Sequence, residues 1–189
     1  MKKTIATLLL TTAAFFSSQN LIAQETTINV EESSIHWLGK KVTGQHEGNI
    51  SLKSGTINMT DGAVTGGNFV VDMASMSCTD LSGEYAGKLI GHLKSDDFFG
   101  VEAHPEASLT FTNVEAKGGG VYAVTGDFTI KGKTNPAQFD LTVAGGTASA
   151  KVIIDRALYD IRYGSNSFFD NLGDKAIYND FELDVTLKL

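Results

Sequence analysis

Residue types that can carry out chemistry are sparse in this chain of 189 residues. It contains four histidines, and no two of them lie two or four residues apart, the spacings that place side chains on one face of a strand or helix. Zinc sites in proteins usually combine closely spaced His and Cys ligands. The spacing therefore predicts no metal site. The histidines are His36, His46, His92 and His104.

An acid–base or hydrolytic set is the second candidate, in the segment that begins at His92 and continues through Ser95, Asp96 and Asp97. The Gly-x-Ser-x-Gly pattern, which presents the nucleophile of many hydrolases on a sharp turn, does not occur. The two aspartates are better explained as residues that cap or solvate the loop before Phe98. We therefore predict no catalytic residues. An enzyme that uses His92 and an aspartate on a hydrophobic substrate stays open as an alternative.

Ionic and aromatic residues alternate in the segment from Asp155 to Gly164. If this segment is extended, its rings lie on one side and its ion pairs on the other. One interpretation is a solvated edge with weak surface ion pairs. The other places an arginine at the mouth of a cavity, where it donates hydrogen bonds to the oxygen-bearing head group of a ligand. The residues predicted to lie at such a mouth are His92, Arg156, Arg162 and Tyr163.

Most of the chain alternates apolar and polar residues with a period of two, which predicts half-buried antiparallel strands. Glycine-containing turns at Ser54-Gly55, Asp61-Gly62, Gly118–Gly120 and 132–136 separate these strands. Closing such a sheet into a barrel removes its aggregation-prone edges, although a two-sheet sandwich is an alternative. The predicted strands are Ser33–Val42, Gln45–Lys53, Gly55–Thr60, Gly67–Met73, Ala107–Asn113, Val121–Ile130, Ala137–Val143, 148–154 and 181–189.

One segment, Thr79–Leu93, has helical periodicity. An apolar residue recurs at every fourth position, at Leu81, Tyr85, Leu89 and Leu93, and Thr79 or Asp80 would serve as the N-cap. Three glycines weaken this helix by roughly 1 kcal/mol each relative to alanine, so it must depend on tertiary packing. We expect it to lie across one end of the barrel, as a lid or as an ordinary connection.

Four sequence motifs resemble the YceI-like family. They are HLKSDDFF at 92–99, AHPEASLTF at 103–111, TGDFTIKGKTNP at 125–136 and IDRALYDIRYGS at 154–165. The resemblance implies an all-β protein, a single antiparallel lipocalin-like eight-stranded barrel that binds polyisoprenoid lipid, and it supplies no catalytic residues. The inward-facing residues predicted to line the apolar cavity are Trp37, Phe69, Val71, Phe111, Phe128, Ile130, Phe139, Leu141 and Val152.

The amino-terminal residues 1–23 have the features of a secretory signal peptide. Lys2 and Lys3 precede a short apolar run, and Ala23 provides the small residue before the cut. One domain, residues 24–189, would remain, with 13 basic and 22 acidic residues. This acidity disfavours nucleic acid and anionic lipid head groups as partners. The single cysteine, Cys78, forms no disulfide within the chain and is expected to be a small buried hydrophobe.

Together these features predict an exported protein, periplasmic or secreted, that holds or carries a lipid without a cofactor and without stable membrane insertion. The expected ligand is an isoprenoid quinone, a polyprenyl lipid or a fatty amphiphile. A homodimer formed through exposed strand edges near Gln45–Lys53 is an open alternative. So is a structural or stress-response protein whose barrel is filled by its own side chains.

Overall fold

A computed structural model describes residues 23–189 as nine strands and one α-helix. The predicted signal peptide lies outside the described residues except for Ala23, the first residue of β1. Among residues 23–189, no helix is both long enough and apolar enough to cross a bilayer. The elements are β1 (Ala23–Thr27), β2 (Asn29–Lys41), β3 (Gly44–Thr60), β4 (Ala63–Asp72), α1 (Gly83–Lys94), β5 (Glu106–Gly118), β6 (Val121–Ile130), β7 (Lys133–Ala144), β8 (Thr147–Asp155) and β9 (Ile177–Lys188).

The strands form a closed antiparallel barrel. Hydrogen bonding runs in the order β3-β2-β9-β8-β7-β6-β5-β4, and β4 pairs back onto β3. Strand β1 pairs with Thr56–Thr60 of β3, beyond the Gly44–Ile50 stretch that pairs with β2, so β1 and β2 follow one another along one edge of β3. Eight strand positions therefore close the barrel, which confirms the predicted fold class.

Strand β3 is longer than its glycines suggest. The predicted turn at Ser54-Gly55 is wrong, because β3 continues through it with a register shift between Leu52 and Ser54. Gly55 lies opposite Phe69, and a Cβ on Gly55 would lie 2.8 Å from the Phe69 ring. The glycine therefore admits an aromatic ring against the strand. The Asp61-Gly62 turn is confirmed, since both residues have positive φ between the paired ends of β3 and β4.

The turn between β6 and β7 is shorter than predicted. It consists of Lys131 and Gly132, both with positive φ, and Pro136 lies within β7 opposite Asp127. Proline lacks the N–H that a central strand needs. It is tolerated here because β7 pairs with β8 only from Leu141 onward.

Helix α1 begins later than predicted, at Gly83 after Ser82 as N-cap. The predicted caps, Thr79 and Asp80, instead bind β3. The Thr79 N–H donates to the Glu47 carbonyl at 2.9 Å, and the Asp80 carboxylate accepts from the Glu47 N–H at 3.1 Å. The segment before the helix therefore covers the edge of β3 that we expected to be exposed. A dimer through this edge would have to displace that segment.

Only the last turns of α1 contact the barrel. Ile90 and Leu93 pack against the core, whereas Tyr85, part of the predicted apolar stripe, is 73% exposed. No residue of the helix is fully buried. The predicted apolar stripe is therefore wrong for its first two residues, Leu81 and Tyr85. A helix that starts at Gly83 presents only its carboxyl-terminal end to the barrel.

The two ends of the barrel differ. Three tight turns close one end, which we call the hairpin end, at Asp61-Gly62, Gly118–Gly120 and Gly145-Gly146. The long segments 73–105 and 156–176 connect the strands at the other, the long-connection end. The hairpin end is filled by buried side chains, among them Ile57, Val64 and Val124.

Candidate ligand-binding cavity

The barrel interior holds a cavity of about 180 Å³ with an almost wholly apolar lining. It lies above the packed hairpin end, and inward-facing side chains of the barrel strands form its wall. All nine residues predicted to line a cavity do line it, and their contact with a ligand stays a prediction. These are Trp37, Phe69, Val71, Phe111, Phe128, Ile130, Phe139, Leu141 and Val152.

Four phenylalanine rings from four adjacent strands form a continuous aromatic wall. The ring centroids of Phe69 and Phe111 lie 5.3 Å apart, those of Phe111 and Phe139 5.9 Å, and those of Phe128 and Phe139 6.1 Å. Each pair is tilted or edge to face, the arrangement that aromatic quadrupoles favour. The wall therefore offers no hydrogen-bonding group to a ligand.

Trp37 is the only tryptophan in the chain, and its indole N–H donates to the Ser77 carbonyl at 3.1 Å. Gly48 makes this contact possible, because a Cβ there would lie 1.9 Å from the Ser77 carbonyl oxygen and 2.8 Å from the indole ring. The segment around Ser77 thus lies directly against β3. Since Trp37 also lines the cavity, we expect its fluorescence to change when a ligand enters.

The connection between β4 and β5 covers the cavity at the long-connection end. Sequence periodicity missed these lining residues because they lie outside the strands, although the paired aromatics of HLKSDDFF were a signal. The ring centroids of Phe98 and Phe99 lie 5.1 Å apart, and those of Phe99 and Phe181 of β9 lie 6.2 Å apart. The lining residues of this cover are Met73, Met76, Leu93, Phe98 and Phe99.

Solvent-exposed residues line the cavity between β2 and β9, and we infer that the cavity opens there. Lys41 pairs with Ile177 and Gly39 with Phe181, so the ladder between these strands is interrupted at this point. Two further residues of β9 line the cavity here, Asp180 and Tyr178, both exposed to solvent. A Cβ on Gly39 would meet nothing within 4 Å. A tail inside the barrel could therefore continue outward at this opening.

Arg156 is a buried cation at the edge of the cavity. It is 1% exposed and lines the cavity beside the opening. Its guanidinium donates to the carbonyls of Ile161 at 2.7 Å, Ile177 at 3.0 Å and Tyr178 at 3.2 Å, and it lies 5.3 Å from the centre of the Phe98 ring. Burial lowers the pKa of Arg156. Three of its five N–H groups bind carbonyls, and the charge of the neighbouring Asp155 carboxylate partly offsets the effect of burial.

The other three predicted mouth residues lie outside the cavity lining. Arg162 pairs with Asp160 on the surface, and Tyr163 is half exposed. The His92 ring packs 4.4 Å from that of Tyr163, and its buried Nε2 has no hydrogen-bond partner among the described residues. The segment is not extended at its start, because Arg156–Tyr159 forms a 3-10 turn that buries Arg156 and interrupts the row of aromatic residues that an extended segment would have.

A polar cluster fixes the segment before α1. His46 Nδ1 lies 2.8 Å from the Asp80 carboxylate, and the Cys78 S–H donates to that carboxylate at 3.1 Å. Burial opposes ionisation of Asp80, but the bonds from His46, the Glu47 N–H and Cys78 outweigh it and lower the pKa of Asp80 to about 2. Burial raises the pKa of Cys78. The expectation that Cys78 is a buried hydrophobe is wrong, since it is half-buried and hydrogen-bonded.

Within residues 23–189, no group of three His, Cys, Asp or Glu side chains is placed to hold a metal ion.

A family profile described as the YceI-like domain matches residues 26–189. The chain belongs to the YceI-like family. A UPF0312 protein of Pseudomonas putida strain W619 is 30% identical to it over 154 residues, which are 77% of this chain and 74% of that protein. A UPF0312 protein of Photorhabdus laumondii is 44% identical over only 54 residues, and this match spans 28% of that protein's length.

Solved structures share the fold of this YceI-like domain at low sequence identity. BcnA of Burkholderia cenocepacia superposes with a TM-score of 0.67 at 21% identity, over 85% of this chain and 98% of that one. A polyisoprenoid binding domain from Saccharophagus degradans, implicated in plant cell wall breakdown, superposes with a TM-score of 0.60 at 15% identity, over 89% of this chain and 97% of that one. The barrel is therefore a recurrent architecture.

Proposed function

We propose that this YceI-like domain is an exported, non-enzymatic protein that binds the tail of an isoprenoid or similar long-chain lipid inside its barrel. The observation that carries the proposal is the cavity itself. Its lining is almost wholly apolar, it is closed at the hairpin end, and the buried cation Arg156 lies at its edge. The Saccharophagus protein of the same fold, a polyisoprenoid binding domain, supports the same class of ligand.

The volume of the cavity limits how much of a ligand fits. A dry apolar cavity of roughly 150 Å³ accepts a benzene molecule, so the 180 Å³ observed here holds one or two isoprene units. Ten buried carbons contribute about 8 kcal/mol gross at about 0.8 kcal/mol each, against association costs of about 4–15 kcal/mol. Tight binding therefore requires a longer buried tail. The flexible side chains of Met73 and Met76 can rearrange to admit one.

The head group would lie at the opening. Two N–H groups of Arg156 are not used by the described carbonyls, and a ligand oxygen is a suitable acceptor for them. A carbonyl of a quinone, a hydroxyl or a carboxylate would serve. The aromatic wall would then hold the apolar tail below it. His92, Arg162 and Tyr163 would surround the outside of the mouth.

Export is the remaining part of the proposal. It is supported by the signal-like residues 1–23. Detection of the mature amino terminus by mass spectrometry of periplasmic and culture fractions tests it. Recovery of the full-length chain from the cytosolic fraction alone would contradict it.

Ligand binding is tested by mass spectrometry of organic extracts from the purified protein. Ala150 lines the cavity, whereas its neighbour Ser149 faces solvent. We expect wild type and Ser149→Phe to yield one intact lipid and Ala150→Phe to yield little, because the added ring fills the cavity. Equal lipid in all three proteins would place the ligand elsewhere, and a substrate and product pair would indicate catalysis.

A further inference from the structure

Large exposed apolar side chains concentrate at the long-connection end. Seven of the eight lie there, and the eighth, Ile153, lies on the outer wall of β8. They come from the β2–β3 turn, α1, the β8–β9 connection and the start of β9. We call them the rim residues: Val42, Tyr85, Leu158, Tyr163, Phe168, Phe169 and Tyr178.

Hydrogen bonds order the backbone at the two adjacent phenylalanines of the rim. The backbone N–H groups of Phe168 and Phe169 both donate to the carbonyl of Ser165, a fully buried residue. The Ser165 hydroxyl donates to the side chain of Asn179 on β9, and Asn179 donates to Ser167. This loop is therefore fixed to the barrel, and the exposure of its rings is a property of an ordered turn.

The rim adjoins the opening of the cavity. Tyr178 belongs both to the rim and to the cavity lining, and its carbonyl accepts from Arg156. The Val42 N–H donates to the Ala176 carbonyl, which brings the β2–β3 turn beside the start of β9. A surface that covers these residues would therefore also cover the opening.

Charge is distributed unevenly between this end and the rest of the barrel. The segments 40–44, 73–105, 131–134 and 155–180 form the long-connection end and hold nine basic and ten acidic residues. The remainder of residues 23–189 holds four basic and twelve acidic residues. The rim thus lies on a nearly neutral end, while the walls and the hairpin end carry most of the negative charge.

We propose that the long-connection end docks onto the surface of a lipid bilayer, with the rim residues in the head-group region and the opening facing the membrane. Tyr and other amphipathic aromatics favour this interface. The rim is spread over three separate connections and the start of β9 around the opening, so a broad surface can contact all of it at once. The acidic walls favour the same orientation, because they are repelled from the membrane. The docking deepens the proposed lipid binding, on which it rests, by identifying the bilayer as the place of uptake and release.

Vesicle flotation tests the docking. We expect wild-type protein to float with phosphatidylcholine vesicles, and less with vesicles containing phosphatidylglycerol, since the chain is acidic overall. The double substitution Phe168→Ser and Phe169→Ser should reduce partitioning roughly tenfold, equivalent to about 1.4 kcal/mol. The control Ile153→Ser removes a side chain that is 57% exposed but outside the rim, and it should float as wild type does.

Several outcomes would overturn the docking. Wild-type protein that does not float, or a double variant that floats as well as wild type, would do so. Self-association without vesicles that the double variant loses would assign the rim to a second copy of the chain. Capture of another protein by the rim without vesicle binding would likewise contradict a membrane.

A transfer experiment separates docking from ligand binding. Ubiquinone with two isoprene units, added to the protein from ethanol, should quench Trp37 equally in wild type and in the Phe168→Ser and Phe169→Ser variant. Delivered from phosphatidylcholine vesicles, it should quench the variant several-fold more slowly. Equal rates would contradict docking and leave lipid binding intact, whereas no quenching under either condition would contradict binding of this quinone.

Discussion

At the scale of single residues, Arg156 links stability to the cavity. Replacing it by methionine keeps the length of the side chain but leaves the carbonyls of Ile161, Ile177 and Tyr178 without their donor. Each hydrogen bond to a charged group contributes about 1.5–3 kcal/mol. We expect Arg156→Met to lower the free energy of unfolding by about 3 kcal/mol or more, measured by urea denaturation at pH 7.

The control for Arg156 is Arg162, whose side chain is 58% exposed and pairs with Asp160. Exposed ion pairs contribute about 0–1 kcal/mol. Arg162→Met should therefore change stability by less than about 1 kcal/mol. If both substitutions lowered the free energy of unfolding equally, the hydrogen bonds of the buried Arg156 would not stabilise the long-connection end more than a surface ion pair does.

Two glycines give a matched pair of predictions with opposite signs. A Cβ at Gly48 would collide with Ser77 and Trp37, whereas one at Gly87 in α1 would meet nothing within 4 Å. Gly48→Ala should therefore destabilise the protein and shift the fluorescence of Trp37 by displacing the Ser77 segment. Gly87→Ala should stabilise it by up to about 1 kcal/mol, the helix preference of alanine over glycine.

Thermal denaturation followed by circular dichroism checks the sign of each effect, and emission spectra check the displacement. A Gly48→Ala protein with the wild-type spectrum and midpoint would contradict the close packing of this segment.

At the scale of elements, the attachment of the segment before α1 should depend on pH. The pKa of Asp80 is about 2 in the folded protein, below the value of about 4 in an unfolded chain. A carboxyl whose pKa is lowered by folding contributes stability that is present above about pH 4 and is lost as the pH falls to about 2. Asp80→Asn should therefore be less stable than wild type at pH 7, and the difference should narrow towards pH 2.

Urea denaturation of wild type and Asp80→Asn at several pH values between 2 and 7 measures this difference in the free energy of unfolding. Cys78→Ser is the control. The serine hydroxyl can donate to the same Asp80 carboxylate oxygen as the thiol does, so this variant should keep the pH dependence of wild type. A constant difference between wild type and Asp80→Asn across the range would show that the carboxylate is not stabilised by folding.

The strands were predictable because a barrel wall repeats one local rule. Each inward residue such as Phe128 alternates with an outward one such as Thr129, and the period of two shows this directly. The rule fails where tertiary contacts decide. Gly55 resembles a turn residue, but it continues a strand because the Phe69 ring needs its space. Asp80 resembles a helix cap, but the edge of β3 offers it a better donor.

The wall of the cavity was predictable for the same reason, and its cover was not. Residues such as Met76 and Phe99 reach the cavity from irregular connections, whose side-chain directions follow no sequence period. The position of the opening could not be predicted from the sequence either, since it depends on the pairing of Gly39 with Phe181, two residues far apart in sequence. Such registers are set by closure of the whole barrel.

At the scale of the whole molecule, α1 is the element best placed to move when a lipid enters. It has no fully buried residue, and its contact with the core is confined to its last turns. Strand β6, in contrast, is paired with β5 on one side and with β7 on the other along almost its whole length. Local opening free energies are lowest where few apolar contacts are buried. We therefore expect amides of α1 to exchange with deuterium much faster than those of β6 in the lipid-free protein.

Ligand binding should slow exchange in α1 if the helix is a lid. A tail in the cavity would contact Leu93 and Phe98 from below and add buried apolar area that exists only when the helix is in place. Exchange measured with and without ubiquinone carrying two isoprene units tests this, with β6 as the internal reference. Protection that increases in α1 while β6 stays unchanged identifies the lid. Equal protection of α1 in both states would make the helix a plain connection, and lipid would then have to pass through the gap between β2 and β9 without it.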